Sequence, residues 1–359
     1  MIKFFKKIKN TDNSPIKDIV LAITYKCNSH CQSCNIWKNQ KYFSYKPIDY
    51  NKLPRMVKNI NISGGEPFLR NDLLEVVKTI SRRSPGANIV ISTNGFLLSE
   101  IKKTMQKVVN FRKDIGVAVS LDGFGKVHEE LRGFPGGFCL ATETIRFLKE
   151  LGIKNLKIAF TLGDYNIDQL KRIYKLSQGL KVEFSLALYH NSSHYFQIEK
   201  NQIINIRKIK KELNWLINQE LKSFSPKKWV RAYFIWAMIK FLETNKRVLP
   251  DYSGVTSLFI DPSGKIYPSN VWDLEIGKLQ NINDWNKFSK KTKKLILNNK
   301  APESWMICTA RQSMKKHWLK VIRWIVREKF LLFIQNNGYK RNHSKKQINL
   351  LLKRFTSIF

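Results

Sequence analysis

The stretch Asp18-Ile-Val-Leu-Ala-Ile-Thr24-Tyr-Lys-Cys27-Asn-Ser-His30-Cys31-Gln-Ser-Cys34-Asn-Ile-Trp37 decides how this chain is read. Its apolar opening predicts a buried strand over 19–24. A polar loop follows, carrying three of the chain's five cysteines within eight residues. A disulfide framework would spread an even number of cysteines along a small secreted chain. Three thiolates on one loop instead suit an iron–sulfur cluster, which takes soft cysteine ligands, and three rather than four leave one iron open to a small molecule. Zinc is the competing metal; it asks for a fourth ligand, for which His30 is the near candidate.

Outward from this loop, short β-rich runs alternate with helical stretches up to about residue 189. Strands are predicted at 19–24, 59–63, 88–93, 116–121, 156–161 and 182–188, with helices at 71–83, 97–109, 141–151 and 167–178. Strands that read as nearly continuous apolar runs between helices imply a parallel sheet covered on both faces. Six such units make the expected fold class α/β, a partial (β/α)6 TIM-like barrel with its site on the strand C-terminal rim. After Tyr189 the strands stop. Two long helices are predicted at 201–221 and 226–244, the second rich in aromatics of the kind that usually pack a core. A hairpin at 257–260 and 265–267 closes through Asp261-Pro-Ser-Gly264. The expected organisation is a basic amphipathic segment 1–17, the partial barrel 18–190, an α-rich extension 191–310 containing the hairpin, and a basic helical tail 311–359.

Three further fragments end predicted strands. Ser63-Gly64-Gly65-Glu66-Pro67 follows the second, Ser92-Thr93-Asn94-Gly95 the third and Ser120-Leu121-Asp122-Gly123 the fourth, with His128 and Arg132-Gly133 shortly after. Each alone is a common turn. Taken in order with the cysteines, they resemble the radical S-adenosylmethionine superfamily, whose signature is CxxxCxxC after a first strand. The resemblance implies a 4Fe-4S cluster on Cys27, Cys31 and Cys34, whose open iron binds S-adenosylmethionine and cleaves it reductively to a 5′-deoxyadenosyl radical. It assigns cofactor contacts to Gly64, Gly65, Glu66 and Pro67 for the methionine amino group, and to Asn94, Ser120, Asp122 and Arg132 for ribose and carboxylate. Glycines there let backbone carbonyls approach an ammonium closely, and an arginine can grip a carboxylate through two hydrogen bonds. Relatives often carry an aromatic residue before the third cysteine; Ser33 stands here, with Trp37 a substitute nearby.

The second half resembles a degenerate SPASM-type extension, a module that holds an auxiliary iron–sulfur cluster in relatives. Where those have cysteines this chain has Asp251, Ser269 and Ser304, and only Cys308 remains. One thiolate among oxygens is a poor iron–sulfur site, so a single cluster is expected. Cys308 and Cys139 read as small buried hydrophobes.

Charge is the outlier: 64 Lys+Arg against 27 Asp+Glu give +37. Such a field favours polyanions, although lysine-loaded solvated faces account for part of it. The tail 311–359 carries 13 Lys/Arg and one acid, Glu328. Lys316, Lys320, Arg323 and Arg327 share a helical face; Trp318, Ile322, Ile325 and Phe333 lie mostly on others. Beyond Asn337-Gly338, residues Ile348, Leu351, Leu352, Phe355 and Phe359 form a second apolar stripe. Basic amphipathic helices fit an anionic bilayer; packing on the main domain fits the periodicity equally well. No run of about 18 apolar residues appears, and no secretory signal, so a cytoplasmic protein is expected, with peripheral association with the inner membrane surface one of the two readings of its basic tail. No nucleic-acid-binding module is recognisable. Only a short segment precedes the first strand, so the peptide-recognition domain of peptide-modifying relatives is not expected. The resemblance implies an electron donor such as flavodoxin or ferredoxin, and a peptide, a lipid-linked or a small anionic substrate. The alternative is an inactive relative acting as a lipid- or partner-binding module.

Overall fold

The computed structural model describes residues 16–39, 44–299 and 301–336. It divides into two compact units, residues 1–203 with 252–302, and residues 204–251 with 303–359.

The first unit is built on one sheet. Six strands run parallel: β1 (Asp18–Ala22), β2 (Asn59–Ser63), β3 (Asn88–Thr93), β4 (Gly116–Ser120), β5 (Asn155–Leu162) and β6 (Glu183–Leu188). The sheet order is β6-β5-β4-β3-β2-β1-β7-β8-β9, with β7 (Ser257–Ile260), β8 (Lys265–Tyr267) and β9 (Gly277–Lys278). Helices α1 (Leu73–Arg83), α2 (Leu98–Phe111), α3 (Lys126–Arg132), α4 (Gly137–Glu150) and α5 (Leu170–Gly179) lie between successive strands from β2 to β6, and α8 (Trp285–Leu297) follows β9. The hairpin foreseen in the extension is present, but it joins the barrel sheet: β7 runs parallel to β1 in register Ile19↔Leu258 and Leu21↔Ile260. β1 is therefore interior, flanked on its other side by β2 through Val20↔Asn61 and Leu21↔Ile62. Between β1 and β2 the described residues hold only 3-10 turns, Ile36–Lys38 and Pro47–Lys52.

Burial explains the strands. Along β5, Leu156, Ile158, Phe160 and Leu162 are buried and alternate with half-buried residues, the period of two of a pleated strand. On α1, Leu73, Val76, Val77 and Ile80 form the buried stripe, spaced at three and four as a helix packed on a sheet demands. Each such side chain contributes about 1.5–3 kcal/mol by leaving water.

The second unit is helical: α6 (Ile206–Lys222), α7 (Pro226–Thr244), α9 (Ile307–Lys316) and α10 (Trp318–Asn336). Tyr233 and Phe234 of α7 are core residues, and the Trp305 indole donates to the Phe234 carbonyl at 2.9 Å. The tail stripe divides: Val321, Trp324 and Ile325 are buried, whereas Trp318, Ile322 and Phe333 are exposed. The N-terminal segment up to residue 15, the Asn337-Gly338 break and the second stripe from Ile348 to Phe359 lie outside the described residues. Among the described residues, no helix is long and apolar enough to cross a membrane.

Candidate cofactor site

The cysteine loop hangs on the end of α3. A helix leaves its last carbonyls without intrahelical partners. Here the Ser29 hydroxyl and the His30 amide both donate to the Arg132 carbonyl, at 2.8 and 2.9 Å, and the Gln32 amide donates to the Leu131 carbonyl at 2.9 Å. Gly133 ends α3 at φ +59, where a Cβ would strike the His30 carbonyl 2.6 Å away, so the close approach requires glycine. The Trp37 indole donates to the Cys34 carbonyl at 3.1 Å, and its ring lies 4.3 Å from that of His30.

The Cys31 sulfur is close enough to act on the protonation of Cys27 and Cys34. Burial, with the neighbouring Cys31 acting in the same direction, pushes the Cys27 and Cys34 thiols up to about 12. Cys31 has side-chain partners, Ser29 Oγ at 3.1 Å and Arg132 Nη1 at 3.8 Å, while the Ser29 and Ile36 backbones hydrogen-bond to Cys27 and Cys34. Among the described residues, no three His, Cys, Asp or Glu side chains stand so as to hold a metal ion. The donor chemistry fits an iron–sulfur cluster: three soft thiol donors on one loop, half-buried, which metal in place of protons would convert to thiolates, with the Arg132 cation beside them.

The turn Gly64-Gly65-Glu66-Pro67 lies directly against this loop. The Gly65 amide donates to the Thr24 carbonyl and the Glu66 amide to the Lys26 carbonyl, both at 2.8 Å. A Cβ on Gly64 would lie 2.6 Å from the Thr24 carbonyl, and one on Gly65 would run into the Lys26 carbonyl. The glycines thus let two backbone segments meet. Glu66 is fully buried and accepts from the Phe68 amide (3.1 Å), the Thr93 hydroxyl (2.9 Å) and the Asn94 amide (2.7 Å). Burial lifts its carboxyl to about 7 against these donors. It ties the turn to the end of β3. Pro67 starts the 3-10 turn Pro67–Leu69 and is buried.

Asn94 joins the same network: its side-chain nitrogen donates to Asn28 Oδ1 at 2.7 Å, and its oxygen accepts from the Phe96 amide at 2.9 Å. Asp122, just past β4, forms a buried ion pair with Arg132 at 2.6 Å and accepts from the Thr161 amide at 2.7 Å. Burial raises the Asp122 carboxyl while Arg132 draws it back; Arg132 is raised. The Asp122 amide donates to His128 Nδ1 at 3.0 Å, and burial holds His128 neutral down to about 3. The Arg132 guanidinium therefore spans from Asp122 to Cys31, with its Nε lacking a hydrogen-bond partner. Ser120 stands half-buried at the end of β4.

Sequence reasoning missed two residues here. Tyr195 donates its hydroxyl to the Gly64 carbonyl at 3.0 Å and, with Tyr25, Phe259 and Tyr267, forms the apolar wall against which Cys27 and Cys34 pack. Tyr189, one residue beyond β6, has its ring where a Gly163 side chain would go and feels the charges of Asp122, Arg132 and Cys31. Its place at a strand C-terminus was the available signal. One reading is corrected: Cys139 is exposed, not buried, because its face of α4 is turned to solvent.

In the second unit, Asp251, Ser304 and Cys308 lie around Arg247. The guanidinium donates to the Ser304 carbonyl, to Thr309 Oγ1 at 3.0 Å and to Ser313 Oγ at 3.2 Å, and it pairs with Asp251 at 3.7 Å. It lies 5.0 Å over the Trp305 ring, and Cys308 acts on its protonation. Ser269 belongs to the first unit.

Residues 21–177 match the family model described as the Radical SAM superfamily. The chain is 27% identical over 179 residues to a "Probable GTP 3',8-cyclase" of Metallosphaera sedula, covering 47% of this chain and 54% of that protein. It thus spans about half the length of that relative. A second "Probable GTP 3',8-cyclase", of Methanococcus aeolicus, is 29% identical over 279 residues, 71% of this chain and 80% of the relative. Among solved structures, Streptococcus suis SuiB bound to S-adenosylmethionine has a TM-score of 0.59 at 16% identity, over 76% of this chain and 65% of that one. That likeness shows the fold, a partial barrel.

Proposed function

We propose that this chain, which belongs over residues 21–177 to the Radical SAM superfamily, is a radical enzyme with a single 4Fe-4S cluster on Cys27, Cys31 and Cys34. The family uses a 4Fe-4S cluster and S-adenosylmethionine, which supply a reducing electron and, after sulfonium cleavage, a 5′-deoxyadenosyl radical for hydrogen abstraction from substrate. The observation that carries the reading is the docking of the cysteine loop on the α3 carbonyls, with Arg132 bridging Asp122 and Cys31.

The protein's own residues position and shield. Gly64, Gly65, Glu66 and Pro67 set a rigid turn beside the loop, offering the methionine ammonium carbonyls rather than side chains. Asn94 and Ser120 stand at neighbouring strand ends as hydroxyl partners. Arg132 balances negative charge at Cys31 and supplies donors for a carboxylate. Tyr25, Tyr195, Phe259 and Tyr267 keep water from the Cys27 and Cys34 side. Asp251, Ser304 and Cys308 offer oxygens and one thiol beside Arg247, a donor set unsuited to an iron–sulfur cluster. An external electron donor such as flavodoxin or ferredoxin would supply the electron that the cleavage consumes.

A small anionic substrate is favoured among the substrate classes, because both relatives described above are probable GTP cyclases and the chain is strongly basic. The test is anaerobic reconstitution, addition of dithionite and S-adenosylmethionine, and chromatography for 5′-deoxyadenosine, with and without GTP. Product formation that disappears in Cys31→Ala is expected. A loaded cluster that never cleaves the cofactor, even with cell extract as a source of substrates, overturns the enzymatic reading in favour of a binding module.

A further inference from the structure

Successive residues of an α-helix step round its axis by about 100°, and over Trp318–Arg327 of α10 this step sorts the side chains into three strips. The first is buried: Val321, Trp324 and Ile325, with the Trp324 ring 5.5 Å from Tyr233 and 5.4 Å from Trp236 of α7. The second is apolar yet faces solvent. Trp318 is 56% exposed, Leu319 49% and Ile322 39%, and Phe333, 62%, stands about three turns further on, beyond Lys329, which is tied back to the Leu221 carbonyl. The third, next to it, carries exposed Lys320, Arg323 and Arg327, and Lys315 and Lys316 at the end of α9 add to it. The helix's one acid, Glu328, is half-buried and lies 3.7 Å from Arg327.

The outer face of a helix in a soluble protein is ordinarily polar, and a contiguous exposed apolar strip marks a surface that meets something. Charge decides what. An apolar strip bordered along its length by cations matches an interfacial helix, whose apolar side chains enter the headgroup boundary while lysines and arginines meet lipid phosphates. Tryptophan at the start of the strip suits that boundary. The strip's bulk is too small for spanning, in keeping with the lack of a membrane-crossing helix among the described residues.

We propose that α10 lies on an anionic bilayer through Trp318, Leu319, Ile322 and Phe333, with Lys320, Arg323 and Arg327 on the headgroups. The inference is independent of the reaction proposed above. Its test is co-sedimentation of the full chain with vesicles of phosphatidylcholine alone, or with about one third phosphatidylserine, at low and high salt. The variants are W318S/I322S and K320E/R327E, all at exposed positions, with thermal midpoints measured to show that folding is kept. Partition into the anionic vesicles should exceed that into phosphatidylcholine by at least about tenfold, weaken with salt, and fall roughly tenfold in each double variant. Equal partition into both vesicles, or binding unchanged in both variants, overturns the proposal. So does a dimer in sedimentation that W318S/I322S dissociates while vesicle binding is absent, since the strip is then an interface between copies of the chain.

Discussion

Replacing Arg247 by alanine should destabilise the helical unit severely. The guanidinium is 7% exposed and Asp251 16%, so both charges sit largely out of water. Burial lowers the Arg247 pKa, and Asp251, Glu303 and Cys308 act in the opposite direction. Removal takes away donors from the Ser304 carbonyl, Thr309 and Ser313 and leaves Asp251 without its arginine. Breaking a buried pair by deleting one partner costs about 3–5 kcal/mol. The lost contact with Trp305, 5.0 Å away, adds about 0.5–2 kcal/mol. Against a typical stability of about 5–15 kcal/mol, this is a large fraction. Urea unfolding followed by tryptophan fluorescence should show a lower midpoint, and R247A/D251N should be more stable than the sum of the single losses implies, by about 0.5–3 kcal/mol of coupling. A loss under about 1 kcal/mol in R247A, or strict additivity with D251N, would refute the idea that Arg247 and Asp251 hold this part of the helical unit together as a buried pair.

Other outcomes follow from the cofactor site. Gly65→Ala should lower the iron content while circular dichroism stays native, because its Cβ meets backbone and not a movable side chain; Gly86→Ala, with nothing within 4 Å, should leave iron unchanged. Glu66→Gln should destabilise by about 1–3 kcal/mol, since an amide nitrogen in place of Oε2 would face the Asn94 N–H, and its melting curve checks this. His128 is held neutral down to about 3 against an ordinary 6.5. The unfolded chain therefore binds the extra proton below 6.5, and stability falls as pH drops through the window 6.5 to 3. His128→Asn, which keeps an acceptor for the Asp122 amide, should remove about 2 kcal/mol of the loss between pH 6.5 and 5, read as a smaller shift of urea midpoint.

Much of the barrel was legible because local pattern and tertiary role agree. β2 and β3 occupy the predicted 59–63 and 88–93, where buried isoleucines at every second position lead into turn residues. What escaped depends on partners distant in sequence. α3 is seven residues long and has little stripe of its own; its importance appears only when Ser29 reaches the Arg132 carbonyl across 103 positions. Tyr195 reads as any buried aromatic until its hydroxyl is found on Gly64, 131 residues away. The hairpin was readable as a hairpin, but nothing in residues 257–267 says that β7 lies beside β1, since parallel register is set by side chains of both strands. On α10 the periodicity fitted both packing and exposure, and the helix divides between them.

The most direct test of the central claim is the iron and sulfide content of anaerobically reconstituted protein, with and without Cys31→Ala. About four irons per chain, lost in the variant, is the predicted result. About eight irons, or four that survive the loss of Cys31, would contradict a single cluster on the three-cysteine loop.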